Sequence, residues 1–160
     1  MIGGAVTVNG LLSPGNSPGH LSVASLVLNP SSTVLLEITG TTAGTQYDQV
    51  SILSGGSLTY GGTMQFNLGQ AFSDNTTFNL FEGFGSSFGG NFASIASVGS
   101  FYNGVTFTRV NNLWTSGTTN GQSLEFNQAT GQLVIVPEPG ALALAGLGVA
   151  VAAWALRRRK

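Results

Sequence analysis

Apolar and polar residues alternate with a period of two along most of this chain, a pattern that admits strands and little else. Val34, Leu36 and Ile38 fall on one face, opposite Leu35, Glu37 and Thr39. The same alternation recurs at Leu21 and Val23, Leu26 and Leu28, Val50 and Ile52, Leu58 and Tyr60, and Met64, Phe66 and Leu68. It continues through Phe78 and Leu80, Val105 and Phe107, Leu124 and Phe126, and Leu133 and Ile135. Turn formers separate the runs: Gly55-Gly56, Gly61-Gly62, Asp74-Asn75, Asn111-Asn112 and Thr130-Gly131. No useful 3.6-residue apolar period occurs before Pro139. Residues 1–136 are therefore expected to be all-β.

Two architectures fit. A parallel β-helix, or solenoid, stacks short strands coil upon coil, with Gly at tight corners and Ser, Thr and Asn in polar ladders. A β-sandwich closes by Greek-key pairing, with strands every 8–12 residues. The early strands start near residues 21, 33, 49, 57 and 63. Few charges and abundant Gly, Ser, Thr and Asn favour the solenoid, although no repeat of fixed period is visible. Val34, Leu36, Ile38, Met64, Phe66 and Leu68 are the expected inward residues. Phe84, Phe88, Phe92 and Phe101 stand among Gly and Ser, where they would cover an open end or face of the core or, less commonly, stack on a ligand.

The composition changes at Val136. Pro137-Glu138-Pro139 is followed by an uncharged run of 17 residues, 140–156, and then by Arg157, Arg158, Arg159 and Lys160. Seventeen residues rise about 25 Å as a helix, near the short limit for crossing a bilayer. Cations at one end alone predict a single C-terminal transmembrane helix, with residues 157–160 cytoplasmic and the body outside. The chain thus divides into an extracytoplasmic body, 1–136, and an anchor segment, 137–160. Met1-Ile2-Gly3-Gly4 leads into Ala5-Val6-Thr7-Val8 without a basic region or an apolar export core. The body is accordingly expected to be the C-terminal part of a longer protein.

Charge excludes whole classes of function. Residues 1–156 hold one cation, Arg109, against six carboxylates, a net charge of −5. Nucleic-acid binding needs clustered Lys and Arg, so it is not expected. There is no Cys, hence no disulfide, thiolate metal site or cysteine nucleophile. No Lys precedes position 160, which removes a phosphate-binding loop at Gly83-Phe84-Gly85. His20, the only imidazole, is expected in an exposed turn with no second His to share a metal. Glu37, Asp48, Asp74, Glu82 and Glu125 lie far apart in sequence, and spacing selects no catalytic pair among them. Asp48 is expected to accept turn N–H groups as an Asx-turn. Calcium loops of the usual spacing are absent, so no cofactor or metal is expected.

Residues 136–160 resemble the PEP-CTERM sorting signal of exported bacterial proteins: Pro137-Glu138-Pro139, the apolar run and the basic end stand in order. The resemblance implies membrane insertion, recognition by an exosortase, cleavage close to the motif, and transfer of the body to the cell surface or extracellular matrix. Residues 10–19, Gly-Leu-Leu-Ser-Pro-Gly-Asn-Ser-Pro-Gly, and the Tyr47-Asp48-Gln49-Val50 step resemble autotransporter-like passenger β-helices. That second resemblance implies a parallel β-helix with an adhesive or structural surface. No outer-membrane barrel follows, so it does not imply the autotransporter secretion route.

The expected function is non-enzymatic: a structural or adhesive surface protein or matrix component. The alternative is a module binding extracellular polysaccharide, with Tyr60, Tyr102 or Trp114 stacking on sugar rings, although most such rings belong in cores.

Overall fold

The computed structural model describes residues 1–15 and 18–138. It contains fifteen strands in chain order: β1 Ile2–Val8, β2 Leu11–Leu12, β3 His20–Leu28, β4 Thr33–Ile38, β5 Gln49–Ile52, β6 Leu58–Tyr60, β7 Thr63–Leu68, β8 Thr77–Asn79, β9 Phe81–Glu82, β10 Phe88–Gly90, β11 Ser94–Val98, β12 Val105–Val110, β13 Leu113–Ser116, β14 Gln122–Asn127 and β15 Gln132–Pro137. There is no helix among the described residues. The all-β expectation holds.

The strands form two open sheets. The six-stranded sheet is parallel throughout, centred on β3. Its first half pairs with β5, from His20 opposite Gln49 to Val23 opposite Ile52, and its second half with β6. On its other edge lies β1, while β9 extends β5 and β10 extends β6. The nine-stranded sheet runs β2-β4-β7-β11-β12-β13-β14-β15-β8. Its first four strands are parallel, with Thr33 opposite Thr63 and Thr63 opposite Ser94. From β11 onward every pairing is antiparallel. The solenoid expectation therefore needs correction. A sheet that changes from parallel ladders to an antiparallel meander is not a solenoid along its length. The early parallel ladders equally depart from a Greek-key sandwich, whose strands pair antiparallel.

The core lies on the inward face that alternation marked out. Val34, Leu36, Ile38, Met64, Phe66 and Leu68 are all buried, whereas Leu35 is only half-buried. Parallel register stacks like on like: Val34 beside Met64, Leu36 beside Phe66 and Ile38 beside Leu68. The outward face carries a polar ladder, in which the Thr33 and Thr63 hydroxyls meet at 3.2 Å and Asn67 Nδ2 donates to Glu37 Oε1 at 3.5 Å. Corners of the parallel part are tight enough to require Gly. At Gly62, φ is +67° and an added Cβ would lie 2.0 Å from the Ser32 carbonyl oxygen.

Aromatic rings fill the junction between the two sheets. Tyr60 has Phe81, Phe84, Phe88, Phe92 and Phe126 around it at centroid distances of 5.1–6.5 Å. Phe84 and Phe92 are buried, and Phe88 and Phe101 are partly buried against the core. These rings are packing, as the first of the two sequence expectations has it.

Candidate functional site: the junction of body and sorting segment

The described structure ends inside the Pro-Glu-Pro motif. Val136 lies opposite Ser123, and Pro137 opposite Gln122, at the end of β15. A proline fits there because it cannot donate, and the Gln122 carbonyl opposite is already engaged, accepting the Thr119 N–H at 2.8 Å. The exposed Glu138 adds one more bond, its N–H donating to the Gly121 carbonyl at 3.2 Å. Opposite this end stands a two-residue turn, Asn120-Gly121, with φ of 55° and 80°. Left-handed φ at both central residues is the requirement of a type I′ hairpin turn, and Asn-Gly meets it at least cost.

Gln122 is fastened on every side. Its side-chain amide donates to the Phe72 carbonyl at 2.9 Å and to Asp74 Oδ1 at 2.6 Å. Its Oε1 accepts the Tyr102 hydroxyl. Asn120 Nδ2 donates to the Phe101 carbonyl at 2.9 Å, and Asn75 N–H to the Ile135 carbonyl at 2.7 Å. The motif therefore leaves the body from a well-tied corner. Pro139, the apolar run 140–156 read as a transmembrane helix, and the basic end Arg157, Arg158, Arg159 and Lys160 lie outside the described residues.

The other residues singled out by sequence fall elsewhere. His20 begins β3 and is exposed, with Nε2 2.7 Å from Ser51 Oγ, which in turn donates to Glu82 Oε1 at 2.6 Å. This is a strand-end contact rather than a free turn. The row runs across the outer face of three parallel strands and puts the serine between the other two groups. Asp48 is fully buried, and its two carboxylate oxygens accept the N–H groups of Gly19 at 2.6 Å and Glu37 at 2.8 Å. The structural role is as expected, but the partners are 29 and 11 residues away, so it is no local Asx-turn. Burial raises the Asp48 carboxyl above the usual range, the two N–H donors lower it, and the Glu37 charge adds a smaller rise. Asp48 thereby ties the Pro18-Gly19 step to the Tyr47-Asp48 step, two segments that the sequence showed only separately.

The rings considered for sugar stacking are inside. Tyr60, Tyr102 and Trp114 are all buried, and the Tyr60 hydroxyl is raised far above its ordinary value by burial. Their polar ends are engaged as well: Tyr60 Oη donates to the Gln128 carbonyl at 3.0 Å, and Trp114 Nε1 to Gln128 Oε1. None presents a face to a polysaccharide. The Arg109 guanidinium lies 5.8 Å from the centroid of the Trp114 ring, facing it across the β12–β13 pair. Among the described residues, no three His, Asp or Glu side chains gather as metal ligands.

Comparison with known proteins agrees with the position of this junction. Residues 136–160 match the family model described as the PEP-CTERM protein-sorting motif. No curated protein and no solved structure matches the chain. The segment similar to the PEP-CTERM protein-sorting motif thus begins within the last strand of an all-β body.

Proposed function

We propose that the chain is a non-enzymatic bacterial surface or extracellular-matrix protein, structural or adhesive, sorted through residues 137–160. The observation that carries this reading is the sorting motif at 136–160 set directly on β15. The fate of the body's polar groups supports it. Asp48, Gln122 and Gln128 are committed to holding strands and turns together. On this reading residues 140–156 cross the membrane as one helix, the basic end stays cytoplasmic, and an exosortase-type enzyme releases the body.

The parallel half is read as a short solenoid. From β3 onward, laterally paired residues lie 29–32 positions apart: His20 with Gln49, Val50 with Phe81, Leu58 with Phe88, Thr33 with Thr63. That step is one coil, and stacked coils give the rigid, weakly charged rod that a surface stalk needs. The β12–β15 meander closes the end from which the sorting segment leaves.

The test is a transplant. Residues 136–160 are fused to an unrelated exported reporter and expressed with and without an exosortase. The expected result is a membrane-held reporter that is shortened and moved to the cell exterior only when the enzyme is present. A reporter that ignores the enzyme overturns the reading.

A further inference from the structure

The fold of the body reaches into the sorting motif. Pro137 is in register with Gln122, and the Glu138 N–H is bonded to Gly121. The strand end they pair with is anchored to the core through the Gln122 amide, Asp74, the Phe72 carbonyl and the fully buried Tyr102. In sequence only Pro139 separates Glu138 from the uncharged run. There is no slack between a tied strand and a segment bound for the membrane.

A peptidase holds its substrate extended, matching main-chain hydrogen bonds on both sides of the bond it cuts, as in strand addition. Main chain already paired in a sheet becomes available only through local opening, whose cost rises with the number of bonds that must break. At this corner those bonds include the Glu138 N–H and the contacts that fix Gln122. Unlike Gln132, Leu133 and Val134, Pro137 and Glu138 are not paired with β8, whose pairing ends with Val134 opposite Thr77. They depend on the Gln122 corner.

We infer that Pro137 and Glu138 belong to the folded body, clamped by Gln122, and that the processing cut falls C-terminal to Glu138, so that both residues remain on the mature protein. The inference rests on the sorting reading above and adds the position of the cut and the residue that sets it. Gln122 is a positioning residue: it touches the substrate strand within its own chain and excludes the bonds upstream of the motif from the enzyme.

Two measurements on the full chain test it. The first is amide hydrogen exchange of the detergent-solubilised protein. The Glu138 amide is expected to exchange at least about tenfold more slowly than in an unstructured peptide of the same sequence. Gln122→Ala should remove most of that protection while the Val50 and Leu58 amides keep theirs. Tyr102→Phe, which deletes one bond and retains the ring, should remove part of it even if Gln122→Ala does not fold. Glu138 exchanging at the peptide rate in the unaltered protein overturns the clamp.

The second is the intact mass of the body released in cells containing the processing enzyme. A C-terminus at Glu138 or beyond is expected, and one at Pro137 or earlier overturns the placement of the cut. A chain that stays uncut in those cells overturns the sorting reading and the cut with it, while the Glu138 exchange rate still decides the clamp.

Discussion

Asp48 shows what a single polar side chain carries in a body with one cation. It accepts from Gly19 and Glu37, joining residues from three turns of chain, and does so fully buried. Because burial raises its folded-state pKa, the folded protein holds that proton more tightly than the unfolded chain, where an Asp titrates at about 3.9. Its contribution to stability is therefore full below about pH 3.9 and declines as pH rises through the folded value. In urea melts of the wild type and Asp48→Asn, the wild-type advantage should be larger near the acid limit than at neutrality. The inward positions make a simpler case. Leu36→Ala or Phe66→Ala should destabilise the protein by about 2–5 kcal/mol, as large-to-small changes in packed cores do. Leu35→Ala, half-buried on the outward face, should cost less than about 1 kcal/mol in the same denaturant series. The inward set was legible because side-chain direction in a strand follows from the sequence period alone. Asp48's partners were not, because nothing local marks a contact 29 residues away.

Elements were legible in position and not in pairing. Strands expected near residues 21, 33, 49, 57 and 63 begin at 20, 33, 49, 58 and 63. Alternation is identical for parallel and antiparallel neighbours, so the change of direction at β11 left no trace in the pattern. The spacing of the parallel pairs was hidden for a related reason: it varies between 29 and 32 residues, and the first strands step by only 20–22, as Val6 to Leu26 and Leu11 to Thr33. One signal could have located the corner beneath the sorting motif. Asn120-Gly121 between two alternating runs is a strong hairpin mark, and it sets the register that brings Gln122 opposite Pro137. Within the meander, Gln128 holds β13 and β6 together by accepting from Trp114 and Tyr60. Gln128→Leu leaves the buried indole N–H unpaired and should cost about 1–3 kcal/mol, measured by thermal or urea unfolding. The Tyr60 bond, made to the Gln128 main chain, should survive, so the Tyr60 ring cluster is expected to stay packed.

At the scale of the whole molecule, charge is divided between body and end. The body is held by burial and by hydrogen bonds, several of them to carboxylates, while four of the five cations occupy positions 157–160. Those cations lie outside the described residues, and replacing all four with Ser is expected to leave the unfolding of the body unchanged. It should instead weaken retention of the N-outside orientation, read as protease accessibility of the body in intact cells bearing an added export signal. The division also explains why function was more legible than fold at the C-terminus and less so elsewhere. A sorting segment is written in composition and order, which a sequence displays directly, whereas the pairing of the body's strands joins residues far apart in the chain. The most direct test of the account follows the body itself. Behind one added export signal, the full chain is compared with residues 1–136 in cells containing the processing enzyme, and the body is quantified in membrane, surface and released fractions over time. The account predicts that the full chain passes through a membrane-bound form and then appears, shortened, at the surface or in the matrix, while residues 1–136 are never membrane-bound. Identical distribution and size histories for the two would contradict it.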